Sequence, residues 1–196
     1  IVRDSDGDVD RIVETKDAAG VAPEELAIRE INLGTYAFEA PAVFDGLEQV
    51  ANQDGERYLT GAFPILRASG ARIVTCRTDD LDISLGVNDR AGLMEAEELA
   101  QRRLLQGHAR AGVTFLHPGT TRVETDVEIG VDTVVGPGVS LLGHTVVGRG
   151  CTIGPHTTAR DARIGDGANV VHSFVLEAEV QEGANIGPFA YLRPGT

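Results

Sequence analysis

Carboxylate and amide side chains stand in three short segments of the first ninety residues. IVETKDA spans residues 12–18, EINLG spans 30–34 and GVNDR spans 86–90. The carboxylate of Glu14 and the amides of Asn32 and Asn88 can form directional hydrogen bonds to small-molecule hydroxyl and amide groups. From the residues alone, simpler interpretations are a solvated acid at a strand end for Glu14, a turn or sheet-edge amide for Asn32 and a helix cap for Asn88.

Two basic residues are also candidates for chemistry. Lys16 is the only lysine in the chain and lies two residues after Glu14. Its ammonium could approach phosphates or fix Glu14 by charge, and an exposed solubilising lysine is an equal alternative. Arg193 lies in the Pro-Gly turn of LRPGT, with no carboxylate beside it in sequence. The rigid turn should fix the direction of its side chain, and a solvated surface arginine is the alternative.

The first 88 residues alternate strand-like and helix-like segments, which is typical of part of an α/β domain. Their β-branched and aromatic residues predict strands at 9–15, 31–38 and 71–77. Pro41 is expected to open a short helix. Thr60 is expected to cap another helix that ends at Gly70.

The longest predicted helix covers residues 89–111. Its apolar stripe follows helical spacing at Leu93, Ala96, Ala100, Leu104, His108 and Ala111. Gly112 is expected to end the helix. Because it stands between two unlike segments, the helix is predicted to be a rigid connector.

A six-residue period begins near Val123 and runs to the end of the chain. Aliphatic residues recur at Val123, Ile129, Val135, Leu141, Val147 and Ile153. Small or β-branched residues follow four positions later, at Val127, Thr133, Val139, Thr145, Cys151 and Thr157. This period is typical of a parallel β-helix in which each edge points one aliphatic residue inward. Spacings of five residues at 159–164, 170–175 and 175–180 are expected slips in register, and about four coils are expected.

The histidines of this region are not expected to bind a metal. A coil takes about eighteen residues, so side chains on one face should differ by about that number. His144 and His156 differ by twelve and should therefore lie on different faces. We interpret these two residues and His172 as surface histidines.

The order of IVETKDA, EINLG and GVNDR, followed by a long helix and a hexapeptide β-helix, resembles one family along essentially the whole chain. It is the bifunctional bacterial family with N-acetylglucosamine-1-phosphate uridylyltransferase and glucosamine-1-phosphate N-acetyltransferase activities. The resemblance implies the C-terminal part of a Rossmann-like α/β nucleotidyltransferase domain at 1–88 and a linker helix at 89–112. It implies a left-handed parallel β-helix, the start of the acetyltransferase domain, at 113–196.

The same resemblance implies roles for individual residues. Glu14 and Asn32 would bind the sugar, and Asn88 would help to hold Mg²⁺ with an upstream aspartate that is not in this sequence. Arg193 would bind the sugar phosphate at the acetyl-acceptor site. The family's catalytic histidine lies further on, so no catalytic residue is expected here, and the chain alone is expected to be inactive. UTP and acetyl-coenzyme A are the implied co-substrates, and a homotrimer built through the β-helix is the implied assembly.

One position departs from the family. The segment NQDGERYLTG at residues 52–61 has Gly61 where an acid is usual. An acid there would suit the positive end of a helix dipole. The departure therefore raises a question about local stability more than about chemistry.

The composition excludes several classes of protein. The formal net charge of −13 argues against nucleic acid or an anionic membrane as a partner. We expect no signal peptide from the polar residues 1–20, and no apolar run approaches the length of a membrane span. Cys76 and Cys151 are far apart, so we expect two small buried hydrophobic residues in a reducing cytoplasm. Because the chain begins at Ile1 and stops within a repeat, we expect it to be a fragment.

Two other functions remain open from sequence. One is another nucleotidyltransferase with a β-helix tail, such as glucose-1-phosphate adenylyltransferase, although IVETKDA with EINLG favours the first family. The other is a non-catalytic β-helix that serves as a trimerisation or interaction platform. Only the acetyltransferase requires a histidine and a lysine downstream of Thr196.

Overall fold

The structure is a computed structural model that describes residues 1–13, 21–52, 55 and 57–196. These residues form two compact units, unit 1 (Ile1–Ser84) and unit 2 (Leu85–Thr196). Among them, no helix combines the length and the apolar character that a membrane crossing requires.

Unit 1 is a mixed α/β region, as the alternation of segments predicts. Its two antiparallel strands are β1 (Val2–Arg3) and β2 (Val9–Arg11), and its helices are α1 (Pro23–Leu26), α2 (Ala40–Gln49) and α3 (Ala62–Ala68). Pro41 lies in the first turn of α2, as expected. The strand predicted at 9–15 is present over Val9–Arg11, and its last two residues lie outside the described part of the chain.

Helices α2 and α3 pack on each other and form the small core of unit 1. Its buried members are Val50, Ala62 and Leu66, with Phe38, Ala42, Leu47 and Ile65 packed against them. Thr60 does not cap α3, which corrects the prediction. It lies inside a 3-10 turn, Leu59–Gly61, so the helix begins one residue later than predicted, at Ala62, and Gly61 takes the N-cap position.

The strands predicted at 31–38 and 71–77 are absent from the described structure. Neither segment pairs with another described strand, so its β-branched and aromatic residues have no sheet to join. Val74 and Cys76 are exposed as a result. The prediction of a buried Cys76 is therefore wrong, whereas Cys151 is buried as predicted.

Unit 2 begins with the predicted long helix, α4 (Arg90–Arg110), which Asp89 caps. Gly112 follows the helix with a φ of +98°, a conformation that favours glycine. Leu105 is the buried residue of α4, whereas Leu93 of the predicted stripe is exposed. The buried face of α4 is therefore centred on Leu105, one position after Leu104 of the predicted stripe.

The rest of unit 2 is a parallel β-solenoid of about five turns, one more than expected, that begins before Val123. Its first sheet contains β3 (Thr114–Phe115), β6 (Val134–Val135), β9 (Thr152–Ile153), β12 (Asn169–Val170) and β15 (Asn185–Ile186). The second contains β4 (Arg122–Val123), β7 (Ser140–Leu142), β10 (Thr158–Arg160), β13 (Phe174–Leu176) and β16 (Tyr191–Leu192). The third contains β5 (Glu128–Ile129), β8 (Val146–Val147), β11 (Arg163–Ile164) and β14 (Glu179–Val180).

The six-residue pattern fills the solenoid core as predicted. All six aliphatic positions belong to the core, with Ile129 only partly buried, and the residues four positions later are all buried. The length of a turn changes along the chain. Val134 pairs with Thr152, 18 residues on, whereas Arg163 pairs with Glu179, only 16 residues on. The five-residue spacings therefore shorten the later turns without breaking the stack of strands.

Candidate functional site

Asn32 lies in a local turn that holds both ends of its amide. Its Oδ1 accepts a hydrogen bond from the backbone N of Gly34 at 3.1 Å, and its Nδ2 donates to the hydroxyl of Tyr36 at 2.5 Å. Gly34 has a φ of +70°, which a residue with a side chain adopts less readily. The half-buried amide keeps one free N–H and one free lone pair, so it can still bind a ligand.

Tyr36 is a residue of this site that sequence analysis missed. Its ring packs on Phe38 and Phe63, with ring centroids 5.6 and 5.4 Å away. This aromatic cluster fixes the hydroxyl that orients Asn32. The available signal was an aromatic residue four positions after the asparagine, but the predicted strand over 31–38 would have separated them.

A partly exposed ion pair anchors the segment before Asn32. The guanidinium of Arg3 contacts both carboxylate oxygens of Glu30, from Nε at 2.9 Å and from Nη2 at 2.5 Å. Arg3 also holds the pKa of the Glu30 carboxyl below its ordinary value, mainly through these hydrogen bonds. The EINLG segment is thereby fastened to β1, the first strand of unit 1.

Two residues of the first motif cannot be placed. Glu14 and Lys16 lie outside the described residues. The proposed role of Glu14 therefore rests on the sequence resemblance, and no role is assigned to Lys16.

Asn88 lies two residues before α4 and is exposed. Asp89, rather than Asn88, caps the helix, because its Oδ1 accepts a hydrogen bond from the backbone N of Gly92 at 2.8 Å. The alternative interpretation of Asn88 as the helix cap is therefore wrong.

Asn88 fits the chemistry of a magnesium ligand in a limited sense. Its amide supplies one hard oxygen, and Mg²⁺ commonly takes one or two protein ligands together with water and substrate phosphates. In the described part of the chain, no group of three or more His, Cys, Asp or Glu side chains is arranged to hold a metal ion. Asn88 would therefore act with ligands from elsewhere.

Arg193 follows β16 in a turn that is held at several points. Its carbonyl accepts hydrogen bonds from the backbone N and the hydroxyl of Thr196, at 3.1 and 2.7 Å. The backbone N of Gly195 donates to the carbonyl of Glu177 on the preceding turn of the solenoid. The Arg193 side chain is exposed, and within the described residues no carboxylate forms an ion pair with it. It can therefore offer its full charge to an anion.

The candidate residues are distributed over both units. Asn32 belongs to unit 1, whereas Asn88 and Arg193 lie at different elements of unit 2, before α4 and after β16. His144 stands apart from the other histidines, with its Nδ1 3.7 Å from a carboxylate oxygen of Asp126. The rings of His156 and His172 pack against each other at another corner of the solenoid, with their centroids 5.1 Å apart and their planes tilted by 54°.

Comparison with known proteins agrees with the motifs, although no protein-family model matches the chain. It is 43% identical over 198 aligned residues to the bifunctional protein GlmU of Halalkalibacterium halodurans, covering all of this chain and 43% of the relative. The GlmU of Lactobacillus delbrueckii subsp. bulgaricus is 44% identical over 99% of this chain and 42% of its own length. That of Mycobacterium sp. (strain KMS) is 44% identical over all of this chain and 39% of its own length. The chain spans about two fifths of the length of these relatives. Because the identity extends along the whole chain, it belongs to the GlmU family as a homologue of part of the bifunctional protein.

Proposed function

We propose that the chain is part of a cytoplasmic bifunctional enzyme of UDP-N-acetylglucosamine synthesis. One reaction transfers acetyl from acetyl-coenzyme A to glucosamine 1-phosphate, and the other transfers uridylyl from UTP to N-acetylglucosamine 1-phosphate. The observation that carries the proposal is 43% identity along the whole chain, with EINLG, GVNDR, a long helix and the solenoid in that order. Residues 1–88 would belong to the uridylyltransferase domain, 89–112 to the linker and 113–196 to the acetyltransferase domain.

Uridylyl transfer would depend on positioning. The phosphate oxygen of N-acetylglucosamine 1-phosphate attacks the α-phosphorus of UTP, and pyrophosphate leaves. Glu14 and Asn32 would hold the sugar, with the Asn32 amide set by Tyr36 and Gly34 as described. Asn88 would offer its side-chain oxygen to Mg²⁺, whose charge offsets that of the phosphates when it is bound.

Acetyl transfer would use the last turn of the solenoid. The exposed guanidinium of Arg193 would bind the phosphate of glucosamine 1-phosphate through charge-assisted hydrogen bonds. The bonds from Thr196 and Gly195 fix the backbone from which that side chain projects. By the same proposal, the 196 residues alone catalyse neither reaction, because the family's remaining catalytic groups lie outside them.

A homotrimer is the proposed assembly. Three aromatic residues of the later turns support it, because Phe174, Phe189 and Tyr191 are 54%, 86% and 58% exposed. Phe174 and Tyr191 are paired neighbours on one sheet, so they form a continuous apolar surface. Serine at both positions should convert a full-length trimer into smaller species in light scattering. Serine at exposed Phe44 of unit 1 is the matched control, and a trimer that survives the double substitution would contradict this surface.

The proposed activity is tested with the full-length protein. It should release pyrophosphate from UTP only when N-acetylglucosamine 1-phosphate and Mg²⁺ are present, and it should acetylate glucosamine 1-phosphate. Loss of the Asn32 hydrogen bonds in Asn32→Ala should lower kcat/KM for uridylyl transfer about tenfold and leave acetyl transfer unchanged. Asn169→Ala on the solenoid is the control. Absence of both reactions in the unsubstituted protein would refute the proposal.

A further inference from the structure

The side chain of Gln101 on α4 hydrogen-bonds to both polar backbone atoms of Val123. Its Nε2 donates to the carbonyl of Val123 at 2.7 Å, and its Oε1 accepts from the backbone N of Val123 at 3.0 Å. A carboxamide has the same donor and acceptor as a peptide group. Gln101 therefore pairs with Val123 as a residue of a neighbouring strand would.

Val123 lies on the strand that ends the second sheet of the solenoid. The strand order in that sheet is β16–β13–β10–β7–β4, so β4 has a neighbour on one side only. On that side, the backbone N atoms of Arg122 and Glu124 donate to the carbonyls of Val139 and Leu141. Val123 lies between Arg122 and Glu124, and its N and O point away from β7, to the position that another strand would occupy.

Packing of α4 fixes Gln101 in this position. Leu105, one helical turn further on and on the same face, is buried in the solenoid core with Val113 and Val123. The carboxamide of Gln101 is thus carried to the sheet edge by a helix whose neighbouring turn is anchored in the core. A free glutamine side chain would lose rotamer entropy on forming these bonds, and the anchored helix reduces that loss.

We infer that Gln101 closes the open edge of β4 against pairing with a strand edge of a second copy of this chain. An unpaired edge offers backbone donors and acceptors that template strand addition, and proteins commonly cover such edges. Here a single carboxamide takes the bonds that an incoming strand needs. The inference does not depend on either proposed activity.

The test compares Gln101→Leu with Gln106→Leu in the 196-residue chain. Gln106 is an exposed residue of the same helix, so the two variants change helix propensity equally. In Gln101→Leu, the Val123 amide should exchange hydrogen about tenfold faster than in Gln106→Leu. The mean mass of the Gln101→Leu variant in light scattering should also rise with protein concentration, whereas that of Gln106→Leu should not.

Each other outcome overturns the inference. Equal Val123 exchange in the two variants would mean that the carboxamide does not protect the edge. Faster exchange without concentration-dependent growth would mean that the edge attracts no strand. If Gln101→Leu fails to fold, Gln101→Glu replaces it, because a carboxylate can accept from the Val123 N but cannot donate to its carbonyl. That variant must then also self-associate above the Gln106→Glu control.

Discussion

Asp89 caps helix α4 through its hydrogen bond from the Gly92 N at 2.8 Å, and its neighbour Asn88 takes no part in the cap. The Asn88 amide remains exposed and available to a ligand. Stability of the helix and the proposed binding of a cation therefore belong to adjacent but different residues. Mutation can separate the two.

Asn88→Ala and Asp89→Ala should affect different properties of the full-length protein. Asp89→Ala removes the cap and should lower the free energy of unfolding by about 1 kcal/mol in urea denaturation. Asn88→Ala should leave that free energy unchanged and raise the Mg²⁺ concentration needed for half-maximal uridylyl transfer. An unchanged Mg²⁺ titration for Asn88→Ala would remove it from the metal site.

The unusual glycine before α3 has a structural reason. A Cβ on Gly61 would lie 2.9 Å from Cγ1 of Val50, a β-branched residue with little rotamer freedom. Gly61→Asp should therefore destabilise the chain by about 1–3 kcal/mol through overpacking, despite its favourable place at the helix start. In a Val50→Ala background, the same substitution should be neutral or stabilising. Equal effects in the two backgrounds, measured by urea denaturation, would show that Val50 is not the obstacle.

Glycine after the core aliphatic residue lets successive solenoid turns approach closely. A Cβ on Gly130 would lie 2.6 Å from the carbonyl carbon and oxygen of Gly148 on the next turn. Gly130→Ala should therefore lower the thermal midpoint by several degrees, since backbone must move. Gly119→Ala, at a position with open space around it, should change the midpoint little. A midpoint for Gly130→Ala equal to that of Gly119→Ala would contradict the close approach.

Ion pairs make the stability of unit 1 sensitive to acid. Hydrogen bonds from Arg3 to Glu30 and from Arg67 to Asp4 lower the pKa of each carboxyl. A carboxyl with a lowered folded-state pKa contributes stability above its unfolded pKa and loses it as pH falls through the folded value. The thermal midpoint of unit 1 should thus fall below about pH 4. The fall should be smaller at high salt, because the ion pairs are partly exposed and salt screens them. In Glu30→Gln, the thermal midpoint should depend less on pH over this range. If it depends on pH as in the unsubstituted chain, the Glu30 pair is not the source of the acid sensitivity.

The solenoid was predictable because aliphatic and small side chains recur in the sequence at the period of its repeat. An aliphatic residue at every sixth position specifies which side chain of each edge points into the core. Sequence did not show that α4 centres on Leu105 or that Gln101 bonds to Val123. Those contacts depend on how the helix lies against the first turn, and a periodic stripe does not specify that orientation.

Unit 1 was less predictable because strand composition requires a partner before it becomes a strand. Residues 31–38 have strand-like composition, yet Asn32 and Tyr36 bond to each other across a turn. Likewise, Thr60 has the chemistry of a helix cap, but it lies within a 3-10 turn, and Gly61 takes the N-cap position before the helix begins at Ala62. In both places a local hydrogen-bonded turn prevails over propensity.

The central proposal is that two activities reside on two parts of one chain. It is tested most directly by whether Arg193→Ala impairs acetyl transfer without affecting uridylyl transfer. In the full-length protein, kcat/KM for acetyl transfer should fall roughly ten- to a hundredfold, because a charged hydrogen bond to the sugar phosphate is lost. Uridylyl transfer should not change, and Arg149→Ala, at another exposed arginine of the solenoid, should leave both activities intact. Equal loss of both activities in Arg193→Ala, or loss of neither, would contradict the account.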